Sequence, residues 1–211
     1  MPAIINGLFK GLKLTAPKGQ LTRPTSAKVR EAVFSILGPA KILEARVLDL
    51  LAGSGALGLE AVSRGAKSAL LCDRSPMAVS TLRQNMGKIP PEAQEKIKPL
   101  KASFPQCFSV LSRYGPFDLI FLDPPYADRL LPVQFLTFAA SQRLAAPGAT
   151  VIWEQDANFI KNIDPSQFLP WRLTSFRRWG GTGAAFLEFP AQFSPEEQPS
   201  EPAEPAIEAE T

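Results

Sequence analysis

The stretch Phe117-Asp118-Leu119-Ile120-Phe121-Leu122-Asp123-Pro124-Pro125-Tyr126 decides how the rest of the chain is read. Its apolar run, Leu119 to Leu122, is short and rich in strand formers, and two prolines forbid its continuation. It predicts a buried strand that stops at a carboxylate, two prolines and an aromatic ring. In open α/β sheets, ligands bind outside the carboxyl ends of the strands. Asp123, Pro124, Pro125 and Tyr126 are therefore the first candidate site. The plainer alternative is a proline-rich turn in which Asp123 serves only as a local acceptor.

Upstream, the same strand-then-carboxylate pattern recurs twice. Arg46 to Leu51 reads as a strand carrying Asp49, Gly53 to Gly58 as a glycine loop, and Leu57 to Arg64 as a helix closed by Gly65. Ser68 to Asp73 is a second strand, and Ser75 with Pro76 opens a helix that runs to about Met86. Residues 97–102 form a weaker strand and 104–113 a possible helix. Downstream lie a helix around Leu131 to Gln142, a turn at Pro147-Gly148 and a strand from Ala149 to Glu154. Trp171 to Arg178 and Ala184 to Phe189 bracket Gly180-Gly181-Thr182-Gly183 as a closing antiparallel hairpin. This alternation predicts a three-layer α/β sandwich.

The loop Gly53-Ser54-Gly55-Ala56-Leu57-Gly58 satisfies G-x-G-x-x-G, and Asp73 lies twenty residues after Gly53. That fits a dinucleotide, an adenosyl cofactor or a purely structural turn. Asp49 tilts the choice, because a carboxylate near the loop opposes a pyrophosphate and favours the ammonium and sulfonium of S-adenosylmethionine. In that reading Gly53, Ser54 and Gly55 let backbone approach the cofactor, and Asp73 accepts from the ribose hydroxyls.

Composition narrows the classes further. The chain has 211 residues, 45% of them hydrophobic, enough to bury a core. It contains no histidine, which excludes a histidine general base and a histidine-containing zinc site. Cys72 and Cys107 are far apart and read as small core residues. No charged-then-apolar leader or membrane span is evident, so a cytoplasmic setting is expected. The net charge of +3 conceals an asymmetry: residues 191–211 carry six glutamates and no Lys or Arg, leaving residues 1–190 at +9. A basic body of this kind suits an anionic partner such as nucleic acid.

Residues 2–14 carry the glycines of a turn or hairpin between two short apolar pieces. Lys10, Lys13, Lys18, Arg23, Lys28 and Arg30 make the region basic, either as a solvated face or as an RNA-contacting extension. Thr25 or Ser26 can cap a helix holding Val29, Val33, Ile36 and Leu37, which Gly38 ends. Arg30 and Glu31 on that helix are either a surface pair or functional. The tail 195–211, with four prolines and six glutamates, is expected to be disordered.

The chemistry of Asp-Pro-Pro-Tyr suits methylation of a nucleobase amine. An exocyclic amine is a poor nucleophile because its lone pair is delocalised into the ring. The Asp123 carboxylate and the Pro124 carbonyl can hold its N–H groups and turn the nitrogen toward a methyl donor, while Tyr126 stacks on the base. A sulfonium leaving group requires neither acid nor metal, so positioning carries the catalysis.

Several blocks together resemble the RsmD-like 16S ribosomal RNA guanine-N2 methyltransferases, over roughly residues 3–190. They are Ile4-Ile5-Asn6-Gly7, Leu21-Thr22-Arg23-Pro24-Thr25, Val29-Arg30-Glu31-Ala32-Val33-Phe34, Leu48-Asp49-Leu50-Leu51-Ala52-Gly53-Ser54-Gly55-Ala56-Leu57-Gly58-Leu59-Glu60-Ala61 and Asp123-Pro124-Pro125-Tyr126. The resemblance implies a class I methyltransferase fold, Rossmann-like, with a seven-stranded, mostly parallel sheet. A short hairpin-and-helix extension would occupy 1–45, the catalytic core 46–190 and the tail 191–211. It implies S-adenosylmethionine as donor and one guanine of small-subunit ribosomal RNA as acceptor, within the 30S subunit or an assembly intermediate. A monomer without metal is expected. By the family's pattern Asp49, Gly53 and Gly55 fall at the cofactor loop, Asp73 at the ribose and Asp123 to Tyr126 at the target base. Arg23 and Thr25 would line the cofactor and RNA side, and Ser103 takes the place of the polar residue that meets the adenine amine.

The competing readings are a DNA adenine-N6 methyltransferase, which shares Asp-Pro-Pro-Tyr, an NAD-dependent oxidoreductase, and a non-enzymatic RNA-binding protein.

Overall fold

A computed structural model describes residues 2–17 and 26–192. Arg23, Thr25, Lys18 and the acidic tail beyond residue 192 lie outside the described residues. The sheet consists of β1 (Arg46–Asp49), β2 (Ser68–Asp73), β3 (Ile97–Lys101), β4 (Phe117–Leu122), β5 (Ala145–Asp156), β6 (Arg172–Trp179) and β7 (Thr182–Glu188). Their spatial order is β3-β2-β1-β4-β5-β7-β6, parallel except that β7 runs antiparallel to both of its neighbours. This is the seven-stranded, mostly parallel sheet that the family resemblance implies.

Both faces of the sheet are buried, because alternate residues of each strand enter different cores. Val47, Leu119 and Phe121 pack on one side, under α1 (Ala27–Leu37), α2 (Ala56–Ser63) and α3 (Pro76–Met86). Leu48, Ile120 and Leu122 pack on the other, under α5 (Phe108–Leu111) and α6 (Leu131–Ser141). Each such side chain contributes about 1.5–3 kcal/mol by leaving water. Two further short helices among the described residues are α4 (Pro91–Gln94) and α7 (Ala157–Lys161). Ser26 caps α1 and Ser75 caps α3 through their side-chain oxygens, each cap worth roughly 1 kcal/mol.

The amino-terminal segment closes as an irregular hairpin: Ala3 and Lys13 form an antiparallel bridge, flanked by bonds from Ile4 N to the Leu12 carbonyl and from Leu14 N to the Pro2 carbonyl, and the loop between them lies across α2. Ile4, Phe9 and Leu14 share a core with Val47. Glu60 of α2, fully buried, accepts hydrogen bonds from the N–H groups of Ile5 at 2.7 Å and Asn6 at 3.0 Å, and from Arg64 Nε at 2.7 Å. Ser63 Oγ accepts from Phe9 N and donates to the Asn6 carbonyl. Gly7 has φ +83°, and a Cβ there would stand 1.9 Å from the Ser63 carbonyl oxygen, so only glycine permits this approach.

Arg30, expected at the surface or on RNA, is instead 1% exposed, beside Glu60 at 3.8 Å, and donates to the Ala3 carbonyl. It lies on the α1 face that buries Val29, Val33, Phe34 and Leu37. Burial pulls its pKa down, while Glu60 holds it up. A guanidinium so enclosed fastens the segment and does not meet a polyanion. Lys10 and Lys13, by contrast, are exposed.

Candidate functional site

The ends of β3, β2, β1 and β4 lie side by side at one edge of the sheet, all pointing the same way. They carry Ser103, Asp73, Asp49 and Asp123. Asp49 pairs in register with Leu71 and with Phe121. Asp73 and Asp123 therefore each stand two residues further along, about 6–7 Å higher, on neighbouring strands about 4.8 Å to either side. The two-residue repeat puts all three carboxylates on the face covered by α2 and α3. Asp49 forms the floor, and the other two form the rim.

The glycine loop fills the space above that floor. Asp49 is 2% exposed and accepts from Gly58 N at 3.0 Å, which ties β1 to the start of α2. Asp73 is 6% exposed and holds the loop through Gly53 N at 2.9 Å and its own turn through Ser75 N at 2.8 Å. Each of its oxygens keeps a further lone pair for a ligand hydroxyl. At Gly53, φ is +54° and the Cβ direction is open space, so this position leaves room for a ligand. Gly55 differs, since its missing Cβ faces Leu82 and Leu71, and it can meet a ligand only through backbone. Ser54 is half-buried, and Ser103 is exposed just past β3.

At the end of β4, Asp123 is half-buried, Pro124 buried, and Pro125 and Tyr126 exposed. The Tyr126 hydroxyl shares a 2.7 Å hydrogen bond with Thr182 Oγ1, on the first residue of β7. That contact ties the hydroxyl end of the side chain to β7, while the residue as a whole is 36% exposed. Burial of Asp49 away from water pushes its carboxyl up to about 7; the Gly58 N–H opposes the shift, and the charges of Asp123 and Asp73 add to it. Such a floor is short of positive charge, and a cationic ligand group would supply it.

Sequence reasoning missed two residues. Asn85, fully buried on α3, donates to the carbonyls of Ser54 and Thr15, both at 2.9 Å, and accepts from Thr15 N at 2.8 Å. It joins the glycine loop to the amino-terminal segment. Its signal was a polar residue at a core position, on the helical face of Ala78, Val79 and Leu82. Thr182 carried no signal. Among the described residues no cluster of His, Cys, Asp or Glu could hold a metal ion. Both cysteines are free, and burial pushes their thiols up, Cys107 to about 11.

The family described as "Conserved hypothetical protein 95" matches residues 3–188. Ribosomal RNA small subunit methyltransferase D of Haemophilus influenzae is 32% identical over 155 residues, covering 72% of this chain and 78% of that protein. Its namesake in Escherichia coli is 37% identical over 129 residues, 61% of this chain and 62% of that protein. A solved structure titled "Putative methyltransferase yhhF from Escherichia coli" superposes with a TM-score of 0.75 at 30% identity, covering 90% of this chain and 99% of that one.

Proposed function

The chain belongs to the "Conserved hypothetical protein 95" family, that of the RsmD-like methyltransferases, and has their Rossmann-like class I fold; we propose that it methylates the N2 amine of one guanine in 16S ribosomal RNA. The donor in this reading is S-adenosylmethionine, and the substrate is the 30S subunit or an assembly intermediate, met in the cytoplasm by a monomer that uses no metal. The names of the two relatives, both ribosomal RNA small subunit methyltransferases, support the substrate.

One observation carries the chemistry: three carboxylates converge around an open glycine loop beside Asp-Pro-Pro-Tyr. When bound, S-adenosylmethionine supplies a methyl group on a sulfonium that leaves as a neutral thioether. Asp73 holds the ribose hydroxyls, Gly53, Ser54 and Gly55 border the cofactor, Ser103 meets the adenine, and Asp49 faces the cationic methionine end. By the family's pattern alone, Arg23 and Thr25 are further candidates for cofactor contact. Asp123 and the Pro124 carbonyl hold the N2 hydrogens, Pro125 stiffens the turn, and Tyr126 stacks on the base. The nitrogen gains the methyl group and gives up one proton to water. Holding the amine at the donor is where the rate is gained. Lys10 and Lys13 are the exposed cations of the amino-terminal segment offered to RNA.

The test supplies purified protein and labelled S-adenosylmethionine with small subunits lacking the modification, and in parallel with duplex DNA. Label should enter one guanine of 16S RNA and none should enter DNA. Label in adenine of DNA, or none in RNA, overturns the reading.

Cofactor binding should also be pH-linked. The Asp49 carboxyl stands at about 7 instead of its ordinary 3.8, so a ligand ammonium that favours its ionised form expels a proton. Affinity for S-adenosylhomocysteine should therefore rise with pH up to about 7 and then flatten, by at most tenfold per pH unit. Calorimetry at pH 6 in buffers of different ionisation enthalpy should register the released proton. Asp49→Asn should flatten the profile, and a flat wild-type profile sinks the assignment. For stability the sign is opposite: the raised pKa favours the fold at low pH, an advantage lost as pH climbs from 3.8 through about 7.

A further inference from the structure

From the placement of the β6–β7 hairpin we infer that its tip grips the phosphates of the RNA strand flanking the target base, through Arg177 and Arg178. The inference rests on the proposed function for its polyanion. β7 begins at Thr182, opposite Asp156 at the carboxyl end of β5, so the turn Trp179-Gly180-Gly181-Thr182 stands at the sheet edge that carries Asp123 and Tyr126. The hydrogen bond shared by the Thr182 and Tyr126 hydroxyls brings the turn against the proposed base-stacking ring itself.

Among the described residues β6 is an edge strand, paired with β7 alone. Arg177 and Arg178 are exposed, and successive strand residues face opposite ways. Arg177, in register with Ala184, lies on the face of Trp179, and Arg178, in register with Gly183, lies on the face of Phe176. An RNA strand crossing the tip would thus find one guanidinium on each side. Each is held by backbone: Arg177 Nη1 donates to the Phe176 carbonyl and Arg178 Nε to the Gly180 carbonyl. The remaining N–H donors of each fork are available for a phosphate. Among the described residues the ion pairs are Arg30–Glu60, Lys41–Glu188 and Arg64–Glu60, so neither arginine is neutralised within that set. Gly180 and Gly181 have nothing within 4 Å of a Cβ position, which leaves the turn open to a close backbone approach.

The same strand supplies its own control. Arg172 is also exposed but pairs in register with Glu188, at the far end of the sheet. It stands six residues from Arg178, roughly 20 Å away. A general charge effect, or a role in keeping an edge strand from self-association, would not distinguish the two ends. A phosphate grip would.

The experiment measures binding of labelled, deproteinised 16S RNA fragments across a salt series, beside S-adenosylhomocysteine affinity, sedimentation and methyl transfer to small subunits. Arg177→Ala with Arg178→Ala should weaken RNA binding at least tenfold and lower the salt slope by about 1.4, two phosphates at roughly 0.7 each for single strands. Cofactor affinity should be unchanged, Arg172→Ala should behave as wild type, and the double lysine variant should keep most of the slope. Wild-type RNA affinity and slope in the double alanine variant overturn the inference, as does an equal loss in Arg172→Ala. Self-association at unchanged RNA affinity, or weaker binding only to assembled subunits, overturns it in favour of edge protection or a protein contact. A wild type that binds RNA through this tip yet transfers no methyl group defeats the proposed function and leaves the grip standing.

Discussion

Asp123→Ala should lower methyl transfer roughly 10²–10³-fold, the scale of removing one preorganised polar partner from an active site. Asp123 stands on the rim at the end of β4, two residues beyond the point where that strand meets Asp49 in register. There it can hold an amine hydrogen while the Pro124 carbonyl, fixed by its ring, holds the other. The loss should fall on kcat, because stacking on Tyr126 and the phosphate contacts do not involve the carboxylate. S-adenosylhomocysteine should bind nearly as before, since Asp123 acts on the floor only through its charge. Its removal should also ease Asp49 to a lower pKa and move the pH profile of cofactor binding downward. Asp123→Asn, which keeps one acceptor oxygen, should lose less. Single-turnover kinetics with saturating RNA measure this, and an alanine variant with near wild-type turnover removes Asp123 from the mechanism.

Glu60→Ala should destabilise the fold by about 3–5 kcal/mol, the cost of leaving a buried charge without its partner. Arg30 would keep its place at 1% exposure without the carboxylate, and the N–H groups of Ile5 and Asn6 would lose their acceptors. Against a total of about 5–15 kcal/mol, that is a large fraction. Urea unfolding should show a lower midpoint and the melting temperature should drop by roughly 6–20 °C. Exchanging both partners, Arg30→Met with Glu60→Leu, should recover part of the loss because the buried Arg30 charge is then gone, although the two N–H groups and the more exposed Arg64 lose their acceptor. A change below about 1 kcal/mol in the single variant would show that the segment does not depend on Glu60.

The strand-end geometry was legible because it is local. Asp49, Asp73 and Asp123 each close an apolar run, and a period of two residues suffices to put them on one face. The helix caps at Ser26 and Ser75 were legible for the same reason. The amino-terminal segment was not, because its partners are Glu60 and Ser63, more than fifty residues away, and a side chain capturing backbone N–H groups leaves no periodic trace. Arg30 did have a trace. Its spacing from Val33, Phe34 and Leu37 puts it on the buried face, whereas its charge alone points to the surface. The strand expected at Ala149 begins at Ala145, and Pro147-Gly148 bulges where the pairing with β4 shifts between Phe117 and Leu119. Helices α4 and α7, four and five residues long, are too short for periodicity to register.

The docking of residues 2–17 on α2 and α3 also sets a schedule for synthesis. Ile4, Phe9 and Leu14 leave the ribosome well before Glu60, Ser63 and Asn85, which hold their segment in place. At roughly 5–20 residues per second the interval lasts several seconds. For that time three large apolar side chains have no surface to cover them, and a nascent chain in this state is open to chaperones and to premature association. Residues 2–17 are therefore made before the surface they cover, and their docking waits for α2 and α3.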